Sequence, residues 1–355
     1  MTVVNRSANV VGLGLIGGSV ASGLKARGWM VHGSDLDPEV TREALTLGVI
    51  SDDVLDEAAS VTVIATPVSQ VSAQVQTMLS RVSGVVTDVG SVKSNVIEEI
   101  HDPRFIGGHP MAGSELSGLA GVDPDLFVGA AWVLTPHQDT SDSAFETVAS
   151  MARDLGAEIV VLDPRRHDEV VALVSHLPHL TAATLMGLAA KQSEEHVAIL
   201  RLAAGGFRDM TRVASGGPGI WVDICRENKN AIVRALDSMI GGLSEMRTIV
   251  SEGESDALLE RLQRARSARA NLPARLRELG DVVEFRIPIP DRTGAAAEIF
   301  AIAAELGVNV ANFEVAHSAE GNQGVLVLIV EQPSRDLFRG GLIARGFKPV
   351  VQTFI

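Results

Sequence analysis

Short apolar runs alternate with stretches of helical periodicity along the first half of the chain. The runs that predict β-strands lie at residues 8–11, 29–35, 61–67, 84–88, 105–106, 130–136 and 157–163. Strands that alternate with helices predict the α/β class, with a parallel sheet and right-handed crossovers. The first domain is therefore predicted to span residues 1–164.

The pattern changes after Pro164. From 165 to 280, β-branched runs are few and apolar residues recur at helical spacing, which predicts an all-helical second domain. Glycine pairs at 205–206 and 216–217 interrupt this block where the chain can turn toward a ligand. A third unit, residues 281–355, follows the order βαββαβ, which predicts a small α/β sandwich.

Composition narrows the function classes. The 355 residues carry a net charge of −14, with a pI of about 5.1, which disfavours binding to nucleic acid or to anionic membranes. Cys225 is the single cysteine, so no intramolecular disulfide or multi-thiolate zinc site is expected. Residues 1–9 have no long apolar run, so no signal peptide or membrane span is predicted and a cytoplasmic location is expected.

A glycine fingerprint predicts a Rossmann-type dinucleotide site. Gly12, Gly14 and Gly17 follow the first predicted strand and precede a helix, as a pyrophosphate-binding turn requires. Asp35 ends the second strand, where a carboxylate accepts hydrogen bonds from the adenosine ribose and repels a 2′-phosphate. NAD is therefore favoured over NADP. Asp37 is the competing acidic residue, but capping of the following helix is the better interpretation for it.

Two further residues are candidates for chemistry beside the cofactor. His109 is predicted in a glycine-rich turn, 107–115, directly after Phe105-Ile106, where a fixed base would suit hydride-transfer chemistry. The alternative is a structural turn histidine. Ser91 follows the strand 84–88 and is expected at its carboxyl end, where open α/β sheets bind ligands. Its alternative is an ordinary N-cap of a helix over 92–100.

The helical block offers a cationic site. Arg208 and Arg212 share a helical face, with Asp209 between them, and a planar guanidinium suits a bidentate grip on a carboxylate. An exposed intrahelical salt-bridge network is the alternative. His176 and His179 have the spacing of metal ligands, but they have no convincing third ligand, so no metal site is predicted.

Six motifs, in order, resemble the prephenate/arogenate dehydrogenase family over about residues 8–245. The motifs are the glycine run 12–18, the Thr66-Pro67 loop, residues 88–93, residues 107–115, His167-Asp168 with 175–179, and residues 205–212. Residues 282–355 resemble an ACT domain, a small module that binds amino acids. Its segments 291–294 and 307–310 lie where such domains bind ligands or pair.

The resemblance implies NAD-dependent oxidative decarboxylation of prephenate to 4-hydroxyphenylpyruvate, a step of tyrosine biosynthesis. It makes His109 the base, with Ser91 supporting the hydroxyl contact and Arg212 binding the ring carboxylate. It also assigns His179, Ser175 and Gly205 to the substrate pocket, Asp209, Asp168 and Glu115 to orienting Arg212 and gating the site, and Trp221 to the active site of a partner subunit. The cofactor would contact Gly12, Gly14, Leu15, Ile16, Gly17, Asp35, Thr66 and Pro67.

The resemblance further implies a homodimer through the helical domain and feedback control by tyrosine or phenylalanine at the ACT-like unit. Two alternatives stay open at this point. An arogenate dehydrogenase, which forms tyrosine directly, would keep every motif. An inactive dehydrogenase scaffold that senses amino acids is the other, although His109, Ser91 and Arg212 are all present.

Overall fold

A computed structural model of the chain describes residues 6–114, 116–193, 198–270, 282–290, 292, 294–317 and 323–353. The chain forms two compact units, residues 1–260 and 261–355. The predicted boundary near residue 280 and Glu115 both lie outside the described residues.

The first unit contains a seven-stranded sheet in the order β2-β1-β3-β4-β5-β6-β7. The strands are β1 (Ser7–Val11), β2 (Met30–Ser34), β3 (Val61–Ile64), β4 (Val85–Asp88), β5 (Phe105–Pro110), β6 (Ala131–Thr135) and β7 (Glu158–Val161). The helices between them are α1 (Leu15–Ala26), α2 (Pro38–Thr46), α3 (Val71–Arg81), α4 (Ser94–Glu99) and α5 (Asp142–Asp154). The predicted Rossmann-type α/β order is confirmed.

Two details of the sheet differ from the sequence prediction. β6 runs antiparallel to β5, whereas every other neighbouring pair in this sheet is parallel. Parallel neighbours need a crossover, and the described residues between β5 and β6 contain only a 3₁₀ turn at Gly118–Gly121. β5 also continues through residues 107–110, so His109 lies on a strand opposite Val133 and not in a turn.

Glycine at positions 107 and 108 allows this close strand packing. A Cβ on Gly107 would lie 2.4 Å from the Thr135 hydroxyl, and one on Gly108 would lie 2.6 Å from the Asp88 carbonyl oxygen. The sequence suggested a turn because paired glycines usually mark one. Here tertiary pairing with β6 prevails, and it directs the end of β5 beside the end of β4.

The helical block is confirmed across the described residues. It comprises α6 (Pro164–Val171), α7 (Leu177–Ser193), α8 (Ala198–Arg201), α9 (Gly205–Thr211), α10 (Pro218–Glu227), α11 (Lys229–Glu252) and α12 (Ser255–Ala270). A π-helical segment, Ala172–His176, joins α6 to α7. Pro178 explains it, since proline donates no backbone hydrogen bond and displaces the carbonyl one turn earlier.

The stretch Pro164–Gln192 is long and apolar enough, by composition, to cross a membrane. Its first part instead belongs to the folded unit, because α6 packs against α4 and β6 and buries His167 and Asp168.

The second unit is a four-stranded antiparallel sheet with two helices. Its strands, in the order β11-β8-β10-β9, are β8 (Val282–Pro290), β9 (Val310–His317), β10 (Gln323–Glu331) and β11 (Val350–Thr353). Helices α13 (Ala295–Glu305) and α14 (Arg335–Ala344) contribute Ile299 and Phe338 to a core shared with Phe285 and Leu328 of the sheet. The element order βαββαβ agrees with the sequence prediction.

A buried ion pair fixes the end of β4. Asp88 and Lys93 are both fully buried, and the Lys93 ammonium donates a hydrogen bond to Asp88 Oδ2. The same carboxylate accepts the Gly90 N–H at 2.9 Å and the Gly108 N–H at 3.2 Å. The pair therefore ties the loop after β4 to strand β5, which carries His109.

Replacement of Lys93 should destabilise this unit. In Lys93→Met the Asp88 carboxylate stays buried without its cation, and breaking a buried pair typically costs about 3–5 kcal/mol. Urea unfolding of the full chain, followed by tryptophan fluorescence, measures the change in the free energy of unfolding. The matched control is Arg42→Met, which removes an exposed pair with Glu39 and should cost less than about 1 kcal/mol. Equal stability of the two variants would contradict the prediction.

Candidate active site

The turn between β1 and α1 has the geometry of a phosphate cradle. Gly12 has φ +94°, and a Cβ there would lie 2.5 Å from the Ala65 carbonyl oxygen. A Cβ on Gly17 would lie 1.9 Å from the Gly12 carbonyl oxygen, so neither position accepts a side chain. A Cβ on Gly14 would meet nothing within 4 Å. The space beside Gly14, at the N-terminus of α1, is therefore open, which suits a pyrophosphate.

Asp35 and Asp37 have different surroundings. Asp35 is half-buried beyond the end of β2, where its carboxylate accepts the Leu13 N–H at 2.7 Å and the Asp37 N–H at 3.0 Å. Asp37 accepts the Glu39 N–H at 2.9 Å and caps α2, as the sequence analysis favoured. Asp35 is thus fixed against the glycine turn, whereas Asp37 completes a helix.

Two hydroxyls at the carboxyl ends of neighbouring strands lack partners. Thr66 follows β3 and Ser91 follows β4, and each has a buried hydroxyl oxygen with no hydrogen-bond partner among the described residues. Buried hydroxyls are normally satisfied, so both of these hydroxyls can take a hydrogen-bond partner from a ligand bound at this edge. The capping alternative for Ser91 is wrong, because α4 begins at Ser94 with Lys93 as its N-cap.

The other predicted cofactor residues flank this edge. Leu15 and Ile16 form the first turn of α1 and are half-buried. Pro67 precedes the 3₁₀ turn Val68–Gln70, directly after the Thr66 hydroxyl.

His109 heads a chain of three side chains. Its Nδ1 lies 2.8 Å from His167 Nε2, and His167 Nδ1 lies 2.8 Å from Asp168 Oδ1. The Asp168 carboxylate also accepts the N–H groups of Lys93 at 2.8 Å and Ser94 at 2.9 Å. Burial, and then the charges of His167, Lys93 and His176, hold the pKa of His109 well below its usual 6.5. The imidazole is therefore neutral at pH 7.

A cluster of His176, His179, Trp221 and Asn228 adjoins these three side chains. Asn228 donates to the Asp168 carbonyl oxygen at 2.8 Å and lies 3.3 Å from His176 Nδ1. His176 is buried, and burial lowers its pKa to about 4. The Trp221 ring stacks on His179 at 3.6 Å between centroids, and burial also lowers the pKa of His179.

Trp221 was expected to reach a partner subunit's site. Its ring stacks on His179 of its own chain, where α10 begins directly after the turn at Gly216-Gly217, and the contact with a partner subunit stays a prediction. A Cβ on Gly216 would lie 3.9 Å from both His179 Cε1 and Trp221 Nε1, so this turn adjoins both rings.

The two arginines are not on one regular helix. Arg208 lies in α9, whereas Arg212 begins the 3₁₀ helix Arg212–Ser215, which packs against α7. Both side chains are exposed. Arg208 and Asp209 form no ion pair with each other within the described part of the chain.

The remaining predicted residues are more scattered. Ser175 is half-buried in the π-helical segment, and Gly205 begins α9 at the surface. Asp168 was expected to orient Arg212. Its carboxylate instead caps α4 and accepts a hydrogen bond from His167.

Sequence reasoning gave no role to His167, Lys93 or Asn228. The adjacent pair His167-Asp168 was a usable signal for the first, because a carboxylate beside a histidine often orients it.

Two family models match consecutive parts of the chain. Residues 20–161 match "Prephenate dehydrogenase, nucleotide-binding domain", and residues 163–264 match "Prephenate dehydrogenase, dimerization domain". The prephenate dehydrogenase of Bacillus subtilis is 36% identical over 336 residues, which cover 89% of this chain and 90% of that protein.

Solved structures agree with these matches. Prephenate dehydrogenase of Aquifex aeolicus, in complex with hydroxyphenyl propionate and NAD+, superposes with a TM-score of 0.71 at 29% identity, covering 76% of this chain and 99% of that one. Synechocystis arogenate dehydrogenase superposes with a TM-score of 0.65 at 30% identity, covering 74% and 98%. The chain therefore belongs to the prephenate dehydrogenase family.

Proposed function

We propose that this protein catalyses the NAD-dependent oxidative decarboxylation of prephenate to 4-hydroxyphenylpyruvate. The observation that carries the proposal is the placement of a neutral His109 and an unpartnered Ser91 hydroxyl at the sheet edge that also holds the glycine cradle. The family match and the similarity to an enzyme solved with NAD+ and a hydroxyphenyl ligand support it.

The cradle fits NAD. Open space at Gly14, the N-terminus of α1 and the unpartnered Thr66 hydroxyl suit a pyrophosphate and its neighbouring groups. Asp35, fixed at the end of β2, suits the ribose hydroxyls and disfavours NADP. Bound NAD would supply the hydride acceptor for C4 of the substrate ring.

The side chains supply the proton chemistry and the orientation of the substrate. His109 takes the proton of the ring hydroxyl as C4 is oxidised, and Ser91 hydrogen-bonds the same hydroxyl. The bond from the ring to its carboxylate breaks, CO₂ leaves, and the electron pair completes the aromatic ring. The resulting phenolate oxygen then takes the proton back, which gives the hydroxyl of the product and restores the base. A base that is neutral at pH 7 is ready for this step.

Arg212 is the proposed partner of the ring carboxylate, with Asp209 and Glu115 orienting it. The 3₁₀ turn that begins at Arg212 packs on α7, which carries His179. His179, stacked on Trp221, and Ser175 in the π segment would line the same pocket. A guanidinium suits a bidentate carboxylate contact.

The domain assignment follows from these roles. Residues 1–164 bind NAD, residues 165–280 complete the substrate site and dimerise, and residues 281–355 regulate. Helix α11 supports the dimer, because it exposes Val233, Ile240, Leu243 and Val250 by 46–62% along one stripe, and a second copy would bury it.

The regulatory proposal concerns the second unit. Its βαββαβ order suits an ACT-like module, and the turns at Gly294 (φ +90°) and Gly307 (φ +65°) lie in the segments expected to bind tyrosine or phenylalanine. Residues 291 and 293 of the first segment lie outside the described residues. A biosynthetic enzyme of this kind is expected in the cytoplasm.

Arogenate is the second candidate substrate, because the fold also superposes on an arogenate dehydrogenase. The two substrates share the ring alcohol and the ring carboxylate, on which His109, Ser91 and Arg212 would act.

The first test is NADH formation at 340 nm by the purified full chain, offering prephenate and arogenate with NAD and with NADP. We expect turnover of prephenate with NAD, and slower turnover when tyrosine or phenylalanine is added. His109→Asn, the active-site control, should lower kcat by about 10²–10⁴-fold with NAD affinity retained. Turnover of arogenate alone would change the substrate, and no turnover of either would favour an inactive amino-acid sensor.

Arg212→Ala should raise KM for prephenate about 10- to 100-fold, since a hydrogen bond to a charged group is worth about 1.5–3 kcal/mol. Steady-state kinetics with saturating NAD measure it. Arg208→Ala removes an equally exposed arginine from the neighbouring helix and is expected to leave KM within about 2-fold. The same KM in both variants would argue against Arg212 as the carboxylate partner.

The pH dependence of kcat/KM tests the state of the base. An ordinary histidine is half protonated near pH 6.5, whereas burial and neighbouring charges depress the pKa of His109. The active, neutral form therefore persists as pH falls through 6.5, and kcat/KM should decline only at lower pH. Initial rates between pH 8 and 5 give the profile, and half-loss near pH 6.5 would contradict a depressed pKa.

A further inference from the structure

We infer that His167 is a positioning residue that fixes the tautomer of His109 and receives its Nδ1 proton when His109 takes the proton of the substrate. This inference rests on the proposed function for its kinetic part. Its structural part, the tautomer of His109, holds for the protein without any ligand.

The direction of the hydrogen bonds follows from Asp168. Its carboxylate accepts the N–H groups of Lys93 and Ser94, so it acts as an acceptor at the start of α4. Its contact with His167 Nδ1 at 2.8 Å must then be a hydrogen bond donated by His167. A neutral His167 consequently has a bare Nε2.

The next contact continues the same direction. His167 Nε2 lies 2.8 Å from His109 Nδ1, so a bare Nε2 accepts a hydrogen bond from the His109 Nδ1–H. The lone pair of His109 therefore lies on Nε2, the ring nitrogen that is not hydrogen-bonded to His167. The opposite tautomer of His109 would place two lone pairs against each other at 2.8 Å.

The hydrogen-bonded series of His109, His167 and Asp168 also permits a proton transfer in which every bond broken is matched by a bond formed. The substrate O–H bond breaks and an N–H bond forms at His109 Nε2, while the His109 Nδ1–H bond breaks and an N–H bond forms at His167 Nε2. His109 ends neutral, in its other tautomer, and the positive charge ends on His167. No further reactant is needed.

The charges around the two rings favour this outcome. The positive charge of the Lys93 ammonium disfavours a cation on His109. His167 instead contacts the Asp168 carboxylate, which stabilises an imidazolium. The Asp88 carboxylate is already paired with Lys93. A carboxylate held by a helix N-terminus is a fixed counter-charge that requires little reorganisation.

Two substitutions separate orientation from proton transfer. The amide of glutamine in His167→Gln reaches the position of Nε2, so it can accept the His109 Nδ1–H but cannot take its proton. The amide of asparagine in His167→Asn reaches only the position of Nδ1, so it keeps Asp168 as a partner and leaves His109 without an acceptor. His137→Gln, at a second histidine with little exposed side chain, is the matched control.

The decisive measurement is ¹⁵N NMR of the full chain labelled at its nine histidines, without ligand, at pH 7.5. The signals of His109, assigned by their loss in His109→Asn, should show a protonated Nδ1 and a bare Nε2 in the parent and in His167→Gln, and a mixture of tautomers in His167→Asn. Protonation of Nε2 in the parent would overturn the inference whether or not prephenate is the substrate.

Kinetics with prephenate and NAD complete the test. We expect kcat to fall about 10-fold in His167→Gln and about 10²-fold or more in His167→Asn, with KM within about 3-fold and no change in His137→Gln. If kcat in both variants stays within 2-fold of the parent, the proton-receiving role is excluded, and circular dichroism identifies any variant that fails to fold.

Discussion

The arrangement of the first unit depends on the hydrogen bonds that the Asp168 carboxylate accepts. It lies on α6, at the start of the helical block, and accepts the first N–H groups of α4 in the nucleotide-binding sheet. The same carboxylate holds His167, and the backbone carbonyl of Asp168 accepts a hydrogen bond from Asn228 at the start of α11. One residue therefore joins the helical block to the sheet and orients the candidate base.

Beneath this contact, close packing determines where the base can lie. Glycines 107 and 108 let β5 approach the Asp88 backbone and the Thr135 hydroxyl, and the Asp88–Lys93 pair holds the loop that carries Ser91. The burial that results from this packing also depresses the pKa of His109. The same packing therefore fixes the position of His109 and keeps it unprotonated, since a desolvated imidazole beside a lysine stays neutral at pH 7.

Sequence reasoning succeeded where local chemistry determines local structure. The glycine fingerprint, the alternation of strands and helices, and the cap at Asp37 are set by neighbouring residues and were predicted. It failed where contacts between residues far apart in the sequence determine the structure. Glycines 107–108 suggested a turn, but β6 recruits them into a strand. His167 had no assigned role because its partner, His109, is 58 residues away in the sequence.

The π-helical segment shows how a local irregularity can serve the site. In a regular helix of 3.6 residues per turn, the nine steps from His167 to His176 would place these side chains about 180° apart. One extra residue in the π turn leaves the equivalent of eight steps, which brings them to about 80°. Asn228 accordingly reaches both the Asp168 backbone carbonyl, next to His167, and the His176 ring. Proline disrupts a regular helix, so Pro178 contributes to the position of His176 relative to His167.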